Sequence, residues 1–141
     1  MSTTPQSSVI AFDRGEFVHL GLGASISRLP THTGDMDWYQ AYGQAHGDDG
    51  VEGRLVSLHT FTESWDTWEM HPSGHELVLC TGGRVTLTQE SPDGNTSQTT
   101  LEAGAAVVND PGVWHTADVA EGDSATVVFI TAGLGTEMRP R

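Results

Sequence analysis

Residues 65–83 read WDTWEMHPSGHELVLCTGG, two runs of strand-forming residues joined by a Pro-Ser-Gly turn at positions 72–74. Successive side chains of a strand point to opposite faces, so Glu69 and His71 share a face. Because the turn sends the chain back beside the first strand, Glu76 is expected to point into the same space. The stretch therefore predicts an imidazole and two carboxylates on one side of a sheet.

The chain downstream and upstream of this stretch repeats the pattern of short strands and tight turns. Strand candidates lie at residues 54–61, 65–71, 76–80, 84–89, 98–101, 105–109 and 125–131. Turn signals at 91–95 and 110–112, and seventeen glycines in 141 residues, fit this pattern. No amphipathic helical run of useful length is found. Many short, evenly spaced strands indicate an all-β sandwich or barrel.

The N-terminal third is less regular. Short apolar runs around positions 9–10, 17–18 and 25–26 predict short strands. Residues 31–53 are acidic and rich in glycine, and they predict a long loop or arm. Such an arm would cover a barrel mouth or pack on a partner subunit.

The stretch from Glu69 to Gly83 resembles the first sequence motif of the cupin superfamily. That motif runs His-x-His, three or four residues, Glu, six residues, Gly. Here the pattern is Glu69-x-His71, four residues, Glu76, six residues, Gly83. The departure from the family is Glu69, which occupies a position usually held by histidine.

A second stretch, Gly104 to His115, resembles the second cupin motif. That motif runs Gly, five residues, Pro-x-Gly-x-x-His. This chain has Asp110 at the proline position of the motif, but Pro111, the next residue, still stiffens the turn. Val119 stands where the longer form of the motif has Asn. Either motif alone is weak, but both in order, with turns where turns belong, are specific for a fold.

The resemblance implies a single-domain cupin barrel, a double-stranded β-helix or jelly roll. Its core would span residues 54–131. Residues 1–53 would supply N-terminal strands and the arm packed on the barrel, and residues 132–141 a C-terminal tail.

In the cupin family the motif residues bind a divalent metal ion, which here implies Glu69, His71, Glu76 and His115 as ligands. Two carboxylates and two neutral imidazoles would give a neutral site around a 2+ ion, whereas three histidines and one glutamate would leave a charge of +1. The hard carboxylate favours Fe²⁺ or Mn²⁺ over copper, with Ni²⁺ and Zn²⁺ still open. The alternatives are metal-free, hydrogen-bonded histidines, and a Glu69 that acts as a hydrogen-bond acceptor or base beside the metal.

Two further side chains are candidates for the pocket. His59 shares a strand face with Leu55 and Phe61, and either His59 or Glu69 could move a proton. Trp65 shares a face with Glu69 and could stack on a substrate. Both side chains could instead be structural: His59 as a single histidine on an apolar strand face, and Trp65 as a tryptophan packed in the core.

Composition excludes several classes of partner. The formal net charge is −13, and all six basic residues are arginines. Such a surface repels phosphate backbones and anionic lipid, so neither nucleic acid nor membrane is expected. The first residues show no signal-peptide pattern, and no segment approaches the ~20 apolar residues of a membrane helix, so the expected location is cytoplasmic.

Two functions from different classes remain at this point. The first is a metal-dependent enzyme acting on a small organic molecule, by oxygenase or by enolising isomerase or lyase chemistry. The second is a non-catalytic module that binds or senses a small ligand, because a fold does not fix a function. A homodimer is expected in either case, with residues 31–53 as a candidate contact.

Overall fold

The computed structural model describes residues 8–141, and most of its regular structure is β. The strands, in chain order, are β1 (Val18–Leu20), β2 (Ile26–Arg28), β3 (Arg54–Phe61), β4 (Thr67–Met70), β5 (Glu76–Glu90), β6 (Thr96–Glu102), β7 (Ala106–Asn109), β8 (Trp114–Asp118), β9 (Ala125–Thr131) and β10 (Glu137–Pro140). One α-helix, α1 (Met36–His46), and three 3-10 segments (Phe12–Arg14, Leu22–Ala24, Gly47–Glu52) complete the elements.

The ten strands of residues 8–141 pair antiparallel in the order β10-β4-β8-β5-β9-β3-β1-β2, with β6 and β7 also paired to β5. The sheet encloses an apolar core of mostly aliphatic side chains and one phenylalanine: Val78, Cys80, Val85, Leu87, Leu101, Val127 and Phe129. On β5 and β9 these positions alternate with less buried residues, as expected for a sheet with one face turned to the core. The predicted all-β jelly-roll barrel is confirmed.

Strand β5 crosses from one half of the barrel to the other, and glycine makes this possible. The sequence predicts two strands separated by Gly82 and Gly83, but the structure has one strand with an irregular register between Cys80 and Gly82. Gly83 has φ +72°, and a Cβ there would lie 1.8 Å from the Ser124 carbonyl oxygen. Only glycine fits such a close backbone approach at positive φ.

The predicted loop over residues 31–53 is wrong in part, because α1 lies inside it. Asp35 begins the helix, since its side chain accepts a hydrogen bond from the Trp38 backbone N–H at 3.0 Å. Trp38 is the buried residue of the helix, packing with Phe17 and Leu55. A helix held by a single buried side chain has no clear apolar stripe, which is why its periodicity was not visible.

The predicted C-terminal tail, 132–141, also contains an unexpected strand. β10 pairs antiparallel with β4, and the Arg139 guanidinium lies over the rings of Trp68 and Trp114 at 5.0 and 4.5 Å. Arg139 also forms an ion pair with Glu90. These contacts with distant residues hold the segment as an edge strand, where Pro140 is tolerated.

Strand β8 was likewise not predicted as a strand, although His115 was expected to return to the site. Its central residues, His115, Thr116 and Ala117, are buried. Within residues 8–141, no helix combines the length and apolarity that crossing a membrane requires.

Candidate metal centre

The structure brings the four predicted ligands together inside the barrel. Glu76 bridges the two imidazoles, with one oxygen 3.1 Å from His71 Nε2 and the other 3.2 Å from His115 Nε2. Glu69 Oε2 lies 3.9 Å from His71 Nε2 and 3.8 Å from His115 Nε2. Glu69, His71 and His115 each offer one ligand atom, all within 4.8 Å of one another, so this His/Glu cluster could hold a metal ion.

The backbone explains why these side chains converge. Glu69 on β4 and His115 on β8 are direct cross-strand partners, and His71 follows β4 on the same face. Glu76 begins β5, where its partner on β7 is Asn109. Two separate strand pairings, β4 with β8 and β5 with β7, therefore fix the site.

Glu76 is held by hydrogen bonds on both oxygens. Asn109 Nδ2 donates to Oε1 at 3.0 Å, and Thr131 Oγ1 donates to Oε2 at 2.6 Å. Gln89 Nε2 in turn donates to Asn109 Oδ1 at 2.7 Å, which orients the amide. The Glu76 side chain is only 4% exposed, so these donors offset the cost of burying a carboxylate.

Thr136 sets the tautomer of His71. The threonine hydroxyl donates its one proton to the Gly133 carbonyl at 2.8 Å, and it lies 2.8 Å from His71 Nδ1. Nδ1 must therefore be the donor in that contact, which leaves the Nε2 lone pair of a neutral His71 pointing at the two glutamates. A metal-binding histidine typically has such an outer partner.

The imidazole Nε2 atoms test whether a cation suits the site. Both His71 Nε2 and His115 Nε2 are buried, and neither makes a hydrogen bond despite the short distances to Glu76. Buried nitrogens without partners are uncommon and costly. Two such nitrogens facing two carboxylates form a donor set that fits a divalent cation.

Burial and the charges of neighbouring groups shift the pKa of every side chain in the cluster. Burial raises the pKa of Glu69. Burial also raises the pKa of Glu76, but contact with the two imidazoles outweighs it and holds the pKa below its usual range. The pKa of His71 is raised because the carboxylates outweigh burial, and burial lowers the pKa of His115.

Comparison with known proteins supports the fold. No family model matches the chain, and no curated protein matches it. Two structures of oxalate decarboxylase from Bacillus subtilis are similar: one has a TM-score of 0.55 at 14% identity over 70% of this chain, the other 0.51 at 16% over 62%. The chain corresponds to 26% and 23% of their lengths. The chain has the cupin fold. At this identity the likeness concerns the fold alone.

The candidate metal centre opens into a cavity of about 710 Å³. Its wall is largely aromatic and imidazole in character: Tyr39, Tyr42, His59, Phe61, Trp65 and Phe129. Helix α1 contributes Tyr39 to this wall. Burial and, to a lesser extent, the negative charge of Glu69 raise the pKa of the Tyr39 phenol. Helix α1, which lies inside the predicted loop, therefore borders the cavity.

His59 lies in the cavity wall among aromatic rings, with Phe17 at 5.4 Å and Phe129 at 5.9 Å between centroids. Burial chiefly, and His32 in addition, lower the His59 pKa to about 4. His59 is thus neutral near pH 7. Its predicted role in proton transfer remains a prediction.

Trp65 borders the cavity and also packs on neighbours. Its ring lies 5.6 Å from Phe61 and 6.1 Å from His115, measured between centroids. The packing and pocket interpretations are therefore compatible at this position, and stacking on a substrate remains a prediction. His75, by contrast, is mostly exposed beside Asp110, away from the cluster.

Sequence reasoning missed the residues that support the ligands: Asn109, Thr131, Thr136 and Gln89. Asn109 directly precedes the 110–112 turn and Thr131 ends the last predicted strand, so both stood at recognisable positions. Thr136 fell in the predicted tail and gave no signal. A second polar cluster, His19, His46 and Asp49, was also missed because it joins three elements of the irregular N-terminal third.

Proposed function

We propose that this cupin binds a divalent metal ion through Glu69, His71, Glu76 and His115 and acts as a metal-dependent enzyme on a small organic molecule. The observation that carries the proposal is the pair of buried imidazole Nε2 atoms without hydrogen-bond partners, each facing two carboxylates. The reaction class is that of an oxygenase or an enolising isomerase or lyase.

The charge of the ligand set favours Fe²⁺ or Mn²⁺. Two glutamates and two neutral histidines balance a 2+ ion, and a second hard oxygen ligand favours these ions over copper. Ni²⁺ and Zn²⁺ fit the same donors less selectively. A metal ion here would supply Lewis acidity toward a carbonyl, enol or carboxylate oxygen of the substrate, or a site for O₂.

The side chains around the centre have separate tasks in this proposal. Glu76, hydrogen-bonded on both oxygens, is the rigid carboxylate. Glu69 is 29% exposed and faces the cavity, so it is the carboxylate that can also hold or pass a proton. Trp65 and Phe129 exclude water and orient an apolar substrate.

The cavity wall also limits the substrate. No lysine or arginine is among the described residues that line it, while Glu69, Glu76 and Asp66 are. A phosphorylated sugar or other polyanion would be repelled. A neutral organic molecule with one or two oxygens able to reach the metal suits the cavity.

Elemental analysis of the protein purified without a metal-affinity tag tests the proposal. We expect about one divalent ion per chain in the unmodified protein and in His75→Ala, whose imidazole is exposed, and a loss of most of it in His115→Ala. Protein that is metal-free as purified and takes up no added Fe²⁺, Mn²⁺, Ni²⁺ or Zn²⁺ would refute the metal centre. A small molecule that stays bound in the cavity after treatment with chelators would instead favour the non-catalytic ligand-binding module.

A further inference from the structure

A hydrogen-bonded chain of three side chains lies away from the metal centre. His19 Nε2 is 2.6 Å from Asp49 Oδ2, and His19 Nδ1 is 2.6 Å from the Tyr42 hydroxyl. The residues come from β1, α1 and the 3-10 segment Gly47–Glu52. His19 is 2% exposed, whereas Asp49 is partly exposed.

The protons of this chain can be assigned from its chemistry. An ionised carboxylate only accepts, so His19 Nε2–H donates to Asp49. The Nδ1 lone pair of neutral His19 then accepts the proton of the Tyr42 hydroxyl. The order of the hydrogen-bonded groups, carboxylate then imidazole then hydroxyl, is the same as in the serine hydrolase triad, with a phenol in the place of the serine hydroxyl.

Two glycines hold the His19–Asp49 pair in place. A Cβ at Gly53 would lie 2.8 Å from His19 Cε1 and 3.0 Å from Asp49 Cβ. A Cβ at Gly21 would lie 3.0 Å from Asp49 Oδ2. Any larger residue at either position would displace the pair, so the backbone is built closely around it.

The chain reaches the same cavity as the metal centre. Tyr42, His19 and His46 all line the cavity. The titratable groups in contact with the His19 ring are Tyr42, Asp49 and His46, whose ring stacks on it at 4.2 Å. His19, His46 and Asp49 lie close enough together to hold an ion. Both nitrogens of His19 are already hydrogen-bonded, however, so the arrangement suits proton transfer better than metal binding.

We propose that Tyr42 accepts a proton from a hydroxyl of the cavity ligand, with His19 and Asp49 as its positioning residues. The ligand O–H bond breaks and a new O–H bond forms on Tyr42, while the original phenolic proton passes to His19 Nδ1. The ligand is left as an oxyanion and His19 as an imidazolium paired with the Asp49 carboxylate. The site shares the cavity with the proposed function but does not need the metal.

Burial, with Asp49 adding to it, raises the pKa of Tyr42 to about 12, which supports transfer in one step. A free tyrosinate is disfavoured, so Tyr42 gives up its own proton as it takes the ligand's. The relay thus places a proton acceptor in the cavity in addition to Glu69 and His59.

The phenol 4-nitrophenol tests the relay, because only its ionised form absorbs strongly in visible light. Bound probe is measured by equilibrium dialysis at a pH below its own titration midpoint, with the protein as purified and after chelation. We expect the ionised fraction of bound probe to exceed that of free probe by at least about tenfold, equivalent to one unit of pKa. Chelation should not abolish this difference.

Variants separate the relay from a structural hydrogen bond. Tyr42→Phe and Asp49→Asn should lose the extra ionisation, whereas Asp48→Asn, at an exposed position beside Asp49, should keep it. Thermal melts would show whether each variant folds. Absent probe binding, unchanged probe ionisation, or extra ionisation retained in Tyr42→Phe overturns the relay. Extra ionisation that disappears only on chelation also overturns it, while leaving the metal centre standing.

Discussion

Glu69 and His115 are cross-strand partners on β4 and β8, and their side chains place a carboxylate oxygen 3.8 Å from an imidazole nitrogen. His115 is fully buried, whereas 29% of Glu69 is exposed. The pair therefore joins the barrel core to the cavity. Glu69 is the proposed ligand that can most easily be changed without disturbing the core.

Replacing Glu69 with glutamine removes one negative charge and little volume. We expect the affinity for added Mn²⁺ to fall by at least about tenfold, the lower end of the cost of losing even an outer partner of a ligand. Titration calorimetry on metal-free protein measures it, with the exposed Glu63→Gln as the matched control. Equal affinities in the two variants would leave Glu69 as a neighbour of the metal rather than a ligand.

Thr136→Val removes the hydroxyl beside His71 Nδ1 but keeps the shape of the side chain. Because the tautomer and orientation of His71 depend on this contact, metal affinity should fall about 10–100-fold. Thr99→Val, on the exposed face of β6, is the control and should bind metal normally. An unchanged affinity in Thr136→Val would contradict the tautomer assigned to His71.

Gly83→Ala should be severely destabilising, by more than about 3 kcal/mol, since it combines positive φ with a backbone clash at Ser124. Gly94→Ala has a similar φ of +86° but open space around it, so it should cost only about 1–2 kcal/mol. Urea unfolding monitored by tryptophan fluorescence compares the two. Similar losses would mean that strand β5 tolerates a shift away from Ser124.

The lowered pKa of His59 predicts a dependence of stability on pH. Between pH 6.5 and about 4 the unfolded chain holds the imidazole proton and the folded chain does not, so stability falls as pH falls through this window. The loss should be smaller in His59→Phe, whereas His75→Asn, at an exposed position, should follow the unmodified protein. NMR titration showing His59 protonated near pH 6.5 would disprove the assignment.

The homodimer also remains a prediction. Helix α1 buries Trp38 against the barrel and leaves Met36 and, beyond its end, Val51 exposed, so residues 31–53 present apolar surface outward. Light scattering should give about twice the 15.1 kDa of one chain. A mass near 15.1 kDa would exclude the dimer.

The relative positions of the candidate ligands could be predicted from the sequence. Strand alternation placed Glu69 and His71 on one face, the Pro-Ser-Gly turn returned Glu76 beside them, and the spacing to Gly83 and His115 matched two motifs. The placement of Glu69, His71 and Glu76 depends on neighbours within a few residues and on a turn with a strong backbone preference, whereas His115 was placed by the resemblance to the second motif. Such information is present in the chain before it folds.

The supports of the site were decided by tertiary structure. Thr136 reaches His71, and Arg139 reaches Trp68, only because the C-terminal segment pairs with β4. Helix α1 is stabilised by burying one tryptophan and not by an apolar stripe, and His19, Tyr42 and Asp49 meet only once that helix has docked. Contacts between segments far apart in the chain leave no local pattern, because their free energy exists only when both segments are in place.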